Sequence, residues 1–316
     1  MSNSPESIES QLPQWLGIIQ TAARFQKLFI TGCPKSGTTW LSSTLNGHPE
    51  IVAAGEGRFA WRLFPLLQQL GPLFNTDQKN NGATELAYIY DAEIQLVMRA
   101  FSEGIFLRYL VASGKAVDGV RVLADKTPQH ILSVPLLRTL YPTCRFINII
   151  RDPRDAATSA LFHLALNDPR PKEKYIESFI TESWRLHVEA AIAAEKQFGS
   201  SVILNVRYED MHRDDRGIIR QCLQHVGVDY SDAAVELCKS AGSFEKMSGG
   251  RKRGETDQKS FYRSGTVGDW RNHLDPALAA RCCEAVKGLM ERFGYEMTAA
   301  AGNPSGVTSG GASVAA

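Results

Sequence analysis

The chain has 316 residues, 43% of them hydrophobic and 22% charged, with a formal net charge of +1. That is enough apolar material for one large core or two small ones. The near-zero charge excludes a global pull toward nucleic acid or membrane, so any anion site must be local.

Residues 1–25 open with MSNSPESIES, polar and acidic where a secretory leader is basic and then apolar. They predict an N-terminal arm or helix. No stretch approaches the ~20 apolar residues needed to cross a bilayer. The six cysteines, Cys33, Cys144, Cys222, Cys238, Cys282 and Cys283, show no C-x-x-C pair and no metal-ligand spacing. A reduced, cytoplasmic protein without a bound metal is the expectation.

The first apolar run, Lys27–Thr31, leads into Gly32-Cys-Pro-Lys-Ser-Gly-Thr-Thr-Trp40. Against the template G-x-x-x-x-G-K-[ST], Gly32 and Gly37 fall on the glycines and Thr39 on the hydroxyl position. Thr38 occupies the lysine position, and the cation, Lys35, sits inside the loop. Lys35, Ser36, Gly37, Thr38 and Thr39 can still wrap an anion, because consecutive N–H groups and a helix N-terminus point at it. Trp40, one turn into the helix, suits either the core or a nucleobase. The helix should stop near Gly47-His48-Pro49.

Glu56 follows in Ala-Ala-Gly-Glu-Gly-Arg. Phe59–Phe74 and Leu86–Leu110 are dense in leucine and aromatics, apt for packing on a sheet or for lining an apolar acceptor cavity. The second run, Val120–Ala124, ends in Asp125-Lys126-Thr127-Pro128. The third, Cys144–Ile150, ends in Arg151-Asp-Pro-Arg-Asp-Ala-Ala-Thr-Ser159, where Asp152-Pro153 is a helix-start signal. Arg151 and Ser159 can converge at the carboxyl edge of a sheet and hold a second phosphate, while Asp152 and Asp155 offer Arg151 a plain ion pair instead.

A long amphipathic pattern covers Glu173–Phe198, and Val202–Val206 is the fourth run. Asp275-Pro276 starts a final helix to Phe293. Between them Ser248–Gly268 is rich in glycine and charge, too long for an ordinary connection, and carries Arg251, Lys252, Arg253, Lys259 and Arg263-Ser264-Gly265. Residues 298–316, Ala/Gly/Ser/Pro without charge, predict a disordered tail. Strands alternating with helices predict an α/β fold. It is a doubly wound, mainly parallel sheet with helices on both faces, one domain over residues 26–297.

Taken together, PKSGTTW at Pro34–Trp40, RDPRDAATS at Arg151–Ser159, RYEDM at Arg207–Met211, SFEKM at Ser243–Met247 and RSGTVGDW at Arg263–Trp270 resemble the sulfotransferases that use 3′-phosphoadenosine 5′-phosphosulfate. The resemblance covers most of the chain and implies a P-loop NTPase-like fold. It implies that Lys35 through Thr39 hold the 5′-phosphosulfate, and that Arg151 and Ser159 hold the 3′-phosphate with Arg263, Ser264 and Gly265 closing over it. Trp40 and Phe244 would sandwich the adenine, with Tyr208 touching it from a strand end. The acceptor would be a small molecule or glycan, with no nucleic-acid partner and the oligomeric state left open.

Sulfuryl transfer moves a less charged group than phosphoryl transfer, so a lysine near the bridging oxygen can replace Mg²⁺ as the stabiliser. The chain departs from the cytosolic branch of this family at Pro128, where that branch has a histidine base. It resembles instead the branches in which a glutamate after the phosphate-loop helix takes the proton, which points to Glu56, with Lys126 beside it. His130 and His163 are the rivals. The competing functions are a P-loop kinase or NTPase, with Asp125 as Mg²⁺ ligand, and a catalytically silent nucleotide-binding module.

Overall fold

The computed structural model describes residues 8–82, 87–166 and 168–297, apart from 253, 256, 258, 259, 261 and 264. Five strands form one sheet: β1 (Gln26–Gly32), β2 (Ile51–Gly55), β3 (Val122–Lys126), β4 (Arg145–Ile150) and β5 (Ile203–Arg207). Their order is β2-β3-β1-β4-β5, and every pairing is parallel. With β3 on one side of β1 and β4 on the other, chain order reverses direction at the strand that precedes the phosphate loop. Ligands of open α/β sheets sit at such a point.

Four of these strands are the four apolar runs, displaced by a residue or two. β2 is the addition. Ile51-Val-Ala-Ala-Gly55 is short and only half β-branched, and pairing with β3 makes it a strand. Its register shifts between Val52 and Gly55, the irregularity that lets the chain leave the sheet at Glu56.

The helices are α1 (Ile8–Ala23), α2 (Thr38–Asn46), α3 (Phe64–Asn80), α4 (Asp91–Ser113), α5 (Val134–Leu140) and α6 (Pro153–His163), followed by others as far as Arg292. Asp152 caps α6 by accepting the Arg154 N–H at 2.9 Å, with Pro153 in its first turn. Asp275 caps the helix beginning at Pro276 in the same way. The predicted helix over Glu173–Phe198 is two helices, Lys172–Ser178 and Arg185–Phe198, joined by a π-turn at Phe179–Trp184. That turn brings the buried Trp184 to the end of β4, where its indole N–H donates to the Arg151 carbonyl at 2.9 Å.

β1 shows how the core is divided. Leu28 and Ile30 face one cluster with Leu41, Leu45 and Ile147, while Phe29 faces another with Phe59, Phe106 and Phe146. The period of two in the strand thus supplies both helix layers. A third cluster around Trp184, Trp270, Cys282 and Cys283 closes the C-terminal side. All six cysteines are buried and unpaired, as their spacing suggested. Among the described residues no helix is long and apolar enough to cross a membrane.

Candidate active site

A cavity of about 560 Å³ opens at the carboxyl ends of β1, β3, β4 and β5. Of the residues expected there, Lys35, Gly37, Thr38, Thr39, Trp40, Glu56, Lys126, Arg151, Ser159, Tyr208, Phe244, Arg263 and Gly265 line it. Ser36 lies buried beneath the loop, and Ser264 is outside the described residues. His163 lines the cavity too. His130 does not: it is fully buried, with its ring against Phe29 and Phe59.

The phosphate loop is held in a shape few residues adopt. Lys35 has φ 70°, a left-handed conformation that costs energy in a residue with a side chain. Gly37, at φ 101°, precedes α2, and a Cβ there would sit 2.6 Å from the Tyr208 ring. Only glycine allows this turn against that aromatic. The N-terminus of α2 follows directly, so its unpaired N–H groups and dipole add to the anion cradle.

Arg151 joins the loop to the late segment. Its guanidinium donates to the carbonyls of Lys35 and Thr266, each at 3.2 Å, and lies 4.3 Å from the Tyr208 ring centroid. The carboxylates that might have neutralised it are otherwise engaged. Asp152 takes Arg154 in a two-pronged pair, and Asp155 accepts the N–H groups of Gly268 and Trp270 at 2.6 and 2.9 Å. Asp155 approaches Arg151 only at 4.0 Å. Arg263 pairs with Asp269 and faces the Phe162 ring at 4.7 Å.

Among the buried polar atoms without a hydrogen bond are Ser36 Oγ in the phosphate loop and the Nε atoms of Arg151 and Arg263. An anionic ligand with two phosphate-type groups suits them. Burial, with Arg151 and Lys126 nearby, pushes the Lys35 ammonium down to about 8. An ammonium destabilised in this way gains from a negative partner beside it.

The aromatic wall combines Trp40, Tyr208 and His212, with centroid separations of 4.6–5.3 Å. The Trp40 indole N–H is fixed on the Gly242 carbonyl at 2.8 Å, just before Phe244. Trp40 and Phe244 therefore meet at one cavity from opposite ends of the sequence.

Glu56 is held by two cations. Its carboxylate accepts from Arg58 Nε at 2.9 Å and pairs with Lys126. Burial raises its pKa, but the hydrogen bonds and charges of Lys126 and Arg58 outweigh that and leave it below the ordinary carboxylate range. His163 is pushed down to about 4 by burial and by Lys35 and Arg263. Burial also raises Asp125 to about 6, and its oxygens are taken by Gly57, Tyr109 and Thr127. That occupied carboxylate is ill suited to ligate Mg²⁺.

Of the two leucine-rich stretches, Trp61 is the residue of Phe59–Phe74 that reaches the cavity, while Phe59 and Phe64 join the core. Met98, Phe106 and Leu110 of the second stretch are core residues as well. Most of both stretches pack or face solvent. Arg58, Gln129, His212, Met247 and Tyr262 also line the cavity and were not singled out in the sequence. Of the clamp residues, Asp155 was named only as a possible ion-pair partner of Arg151, and the bracing by Glu209 was hidden. Glu209 accepts the Asp152 N–H at 2.9 Å and the Tyr295 hydroxyl at 3.0 Å. Their position inside RDPRD and RYEDM was the available signal.

The fold and cavity define a P-loop-type α/β protein whose cavity, at the edge of a parallel sheet, brings together Lys35, Arg151 and Arg263 with an aromatic wall. The family model described as "Sulfotransferase family" matches residues 27–232, more than half of the chain, and the chain belongs to that family. It is 29% identical to human Sulfotransferase 1C2 over 199 residues, covering 57% of this chain and 65% of that protein, just under two thirds of the relative's length. It is 25% identical to mouse Sulfotransferase 1E1 over 304 residues, 88% of each chain.

Among solved structures, mouse sulfotransferase SULT7A1 complexed with PAP superposes with a TM-score of 0.54 at 20% identity, over 87% of this chain and 89% of that one. The sulfotransferase domain from the Synechococcus PCC 7002 olefin synthase gives 0.51 at 20% identity, over 86% and 96%. At that identity the likeness shows the shared P-loop NTPase-like fold.

Proposed function

We propose that this chain moves the sulfuryl group of 3′-phosphoadenosine 5′-phosphosulfate onto a hydroxyl or amine of a small-molecule or glycan acceptor. One observation carries the reading. Two separate anion-binding groups, the Lys35 loop and the Arg151–Ser159–Arg263 set, share one cavity with an aromatic wall. The PAP named in the SULT7A1 complex is the desulfated form of such a donor, which agrees with it.

The cavity lining supports the following division of labour, in which Ser264, outside the described residues, is assigned by the family resemblance. Lys35 and the α2 N-terminus stabilise charge on the phosphate oxygen as its bond to sulfur breaks. Lys126 faces the sulfuryl oxygens, and Glu56 takes the proton from the acceptor as its oxygen bonds to sulfur. Arg151, Ser159, Arg263 and Ser264 read the 3′-phosphate, with Gly265 beside them. Trp40, Tyr208 and Phe244 hold the adenine. We further assign residues 26–297 to one sulfotransferase domain. Six buried thiols suit a reducing compartment such as the cytoplasm.

Incubation with sulfur-labelled donor, EDTA and a panel of phenols, steroids, sugars and lipid alcohols tests the reaction. Transfer of label without added metal is expected for at least one acceptor class. Mg²⁺-dependent nucleotide hydrolysis, or tight donor binding with no transfer to any acceptor, would overturn the reading.

Arg151→Ala should remove most of the discrimination for the 3′-phosphate, with Ser159 and Arg263 left to supply the remainder. The wild type is expected to bind the donor more tightly than its 3′-dephospho analogue by ~1.5–3 kcal/mol, the scale of a charge-assisted hydrogen bond, and the variant to keep only a small part of that difference. An equal loss for both ligands would assign Arg151 to fold stability instead.

Donor affinity should also depend on pH through Lys35. Its pKa of about 8 in the free protein rises once an anion sits beside it, so binding takes up a proton. Affinity is therefore full below pH 8 and falls as pH rises through it, by at most ~10-fold per unit for one proton. Calorimetry of PAP binding in buffers of different ionisation enthalpy measures the uptake directly. A pH-independent affinity between 7 and 9 would remove Lys35 from the anion site.

A further inference from the structure

We propose that Asp125 is a positioning residue for Glu56, acting through a set of side-chain bonds that string the Glu56 loop across the segment Asp125–His130. The proposal rests on the reading of Glu56 as the proton acceptor and deepens it.

After β2 the chain runs through Glu56-Gly-Arg-Phe-Ala60 without regular structure until the π-turn at Phe59. Three of its backbone N–H groups find side chains of the facing segment. Gly57 donates to Asp125 Oδ2 at 2.7 Å, Arg58 to Thr127 Oγ1 at 3.1 Å, and Ala60 to His130 Nε2 at 3.3 Å. Thr127 passes its own proton to Asp125 Oδ1 at 2.7 Å. Because His130 Nε2 accepts, its proton is on Nδ1, which lies 3.3 Å from the same Asp125 oxygen. Tyr109 on α4 donates to Oδ2 at 2.9 Å.

Asp125 is therefore the common acceptor of the set, fully buried and out of reach of substrate. The approach is tight enough to fix the loop's identity: a Cβ on Gly57 would sit 2.8 Å from Asp125 Oδ2 and 2.7 Å from the Phe59 ring. Lys126, the next residue along β3, projects to Glu56 while Asp125 holds the loop behind it. One strand end thus sets the position of both the carboxylate and its cation. Three donors converge on the buried Asp125 carboxylate, and the stiffness this gives the loop is what keeps a base within proton-transfer distance of an acceptor.

Asp125→Asn offers one acceptor oxygen and an NH₂ where Gly57, Tyr109 and Thr127 all present protons. It is expected to lower kcat ~10–100-fold, the scale of a small misplacement of a reacting group, with the Kd for PAP changed less than about twofold. A gentler variant, Tyr109→Phe, removes one bond to Oδ2 and should lower kcat in the same sense without changing PAP affinity. The decisive measurement is the double-mutant cycle with Glu56→Gln. If Asp125 acts through Glu56, Asp125→Asn and Tyr109→Phe should cost almost nothing further in that background.

A cost that repeats in full in the Glu56→Gln background, or a loss of PAP affinity, overturns the positioning role, and so does wild-type kcat in both Asp125→Asn and Tyr109→Phe. Normal turnover by Glu56→Gln alone overturns the base assignment itself, and the two failures are distinct. Should Asp125→Asn not fold, the Tyr109→Phe arm of the cycle decides the question.

Discussion

Lys35→Ala is expected to lower kcat by ~10²-fold or more, the scale of losing one preorganised electrostatic donor. The lysine sits in the left-handed loop conformation that aims it into the cavity, and it is cationic in spite of its burial and two cationic neighbours. Those neighbours make its charge costly in the empty site and most useful where negative charge develops. Lys35→Arg should not rescue it, because a planar, longer guanidinium cannot occupy the position of a compact ammonium. The measurement is single-turnover transfer at saturating donor, which separates chemistry from binding. Turnover near that of the wild type would take the lysine out of the mechanism.

Glu56→Gln should keep donor affinity and cut turnover by the ~10²–10⁴-fold typical of a lost general base. The two-cation grip on Glu56 depresses its pKa, so it is ionised throughout the neutral range. The acid limb of the wild-type rate should accordingly lie below the ordinary carboxylate range, since a depressed group loses its function only as pH falls through the lowered pKa. His163→Ala is the control: His163 lines the same cavity and is uncharged at neutral pH. If Glu56→Gln turns over normally and His163→Ala does not, the histidine is the base.

Much of the site was legible from local pattern. A loop that wraps an anion needs glycines and a helix start at fixed spacing, so PKSGTTW identifies itself without a fold. Asp before Pro is a local helix-start signal, so the start of α6 and the end of β4 at Arg151 were equally plain. The three central strands β1, β3 and β4 are apolar because they are buried on both faces, and that burial is written into consecutive residues.

What stayed hidden depended on partners remote in sequence. β2 is a strand because β3 pairs with it, and neither its length nor its composition announces that. The elimination of His130 required seeing it packed against Phe29 and Phe59; as a residue type it was as good a base as any. Asp125 could be read as a metal ligand from its place at a strand end, and only the convergence of Gly57, Tyr109 and Thr127 on its oxygens shows it in use as a bracket. The sequence by itself determined the parallel α/β architecture and the glycine-and-lysine loop that lines the cavity after β1, because periodicity and loop spacing are local properties. The tertiary structure alone decided which carboxylate and which histidine face the cavity. Burial and hydrogen-bond competition arise only when β3, α4 and the Glu56 loop are brought together.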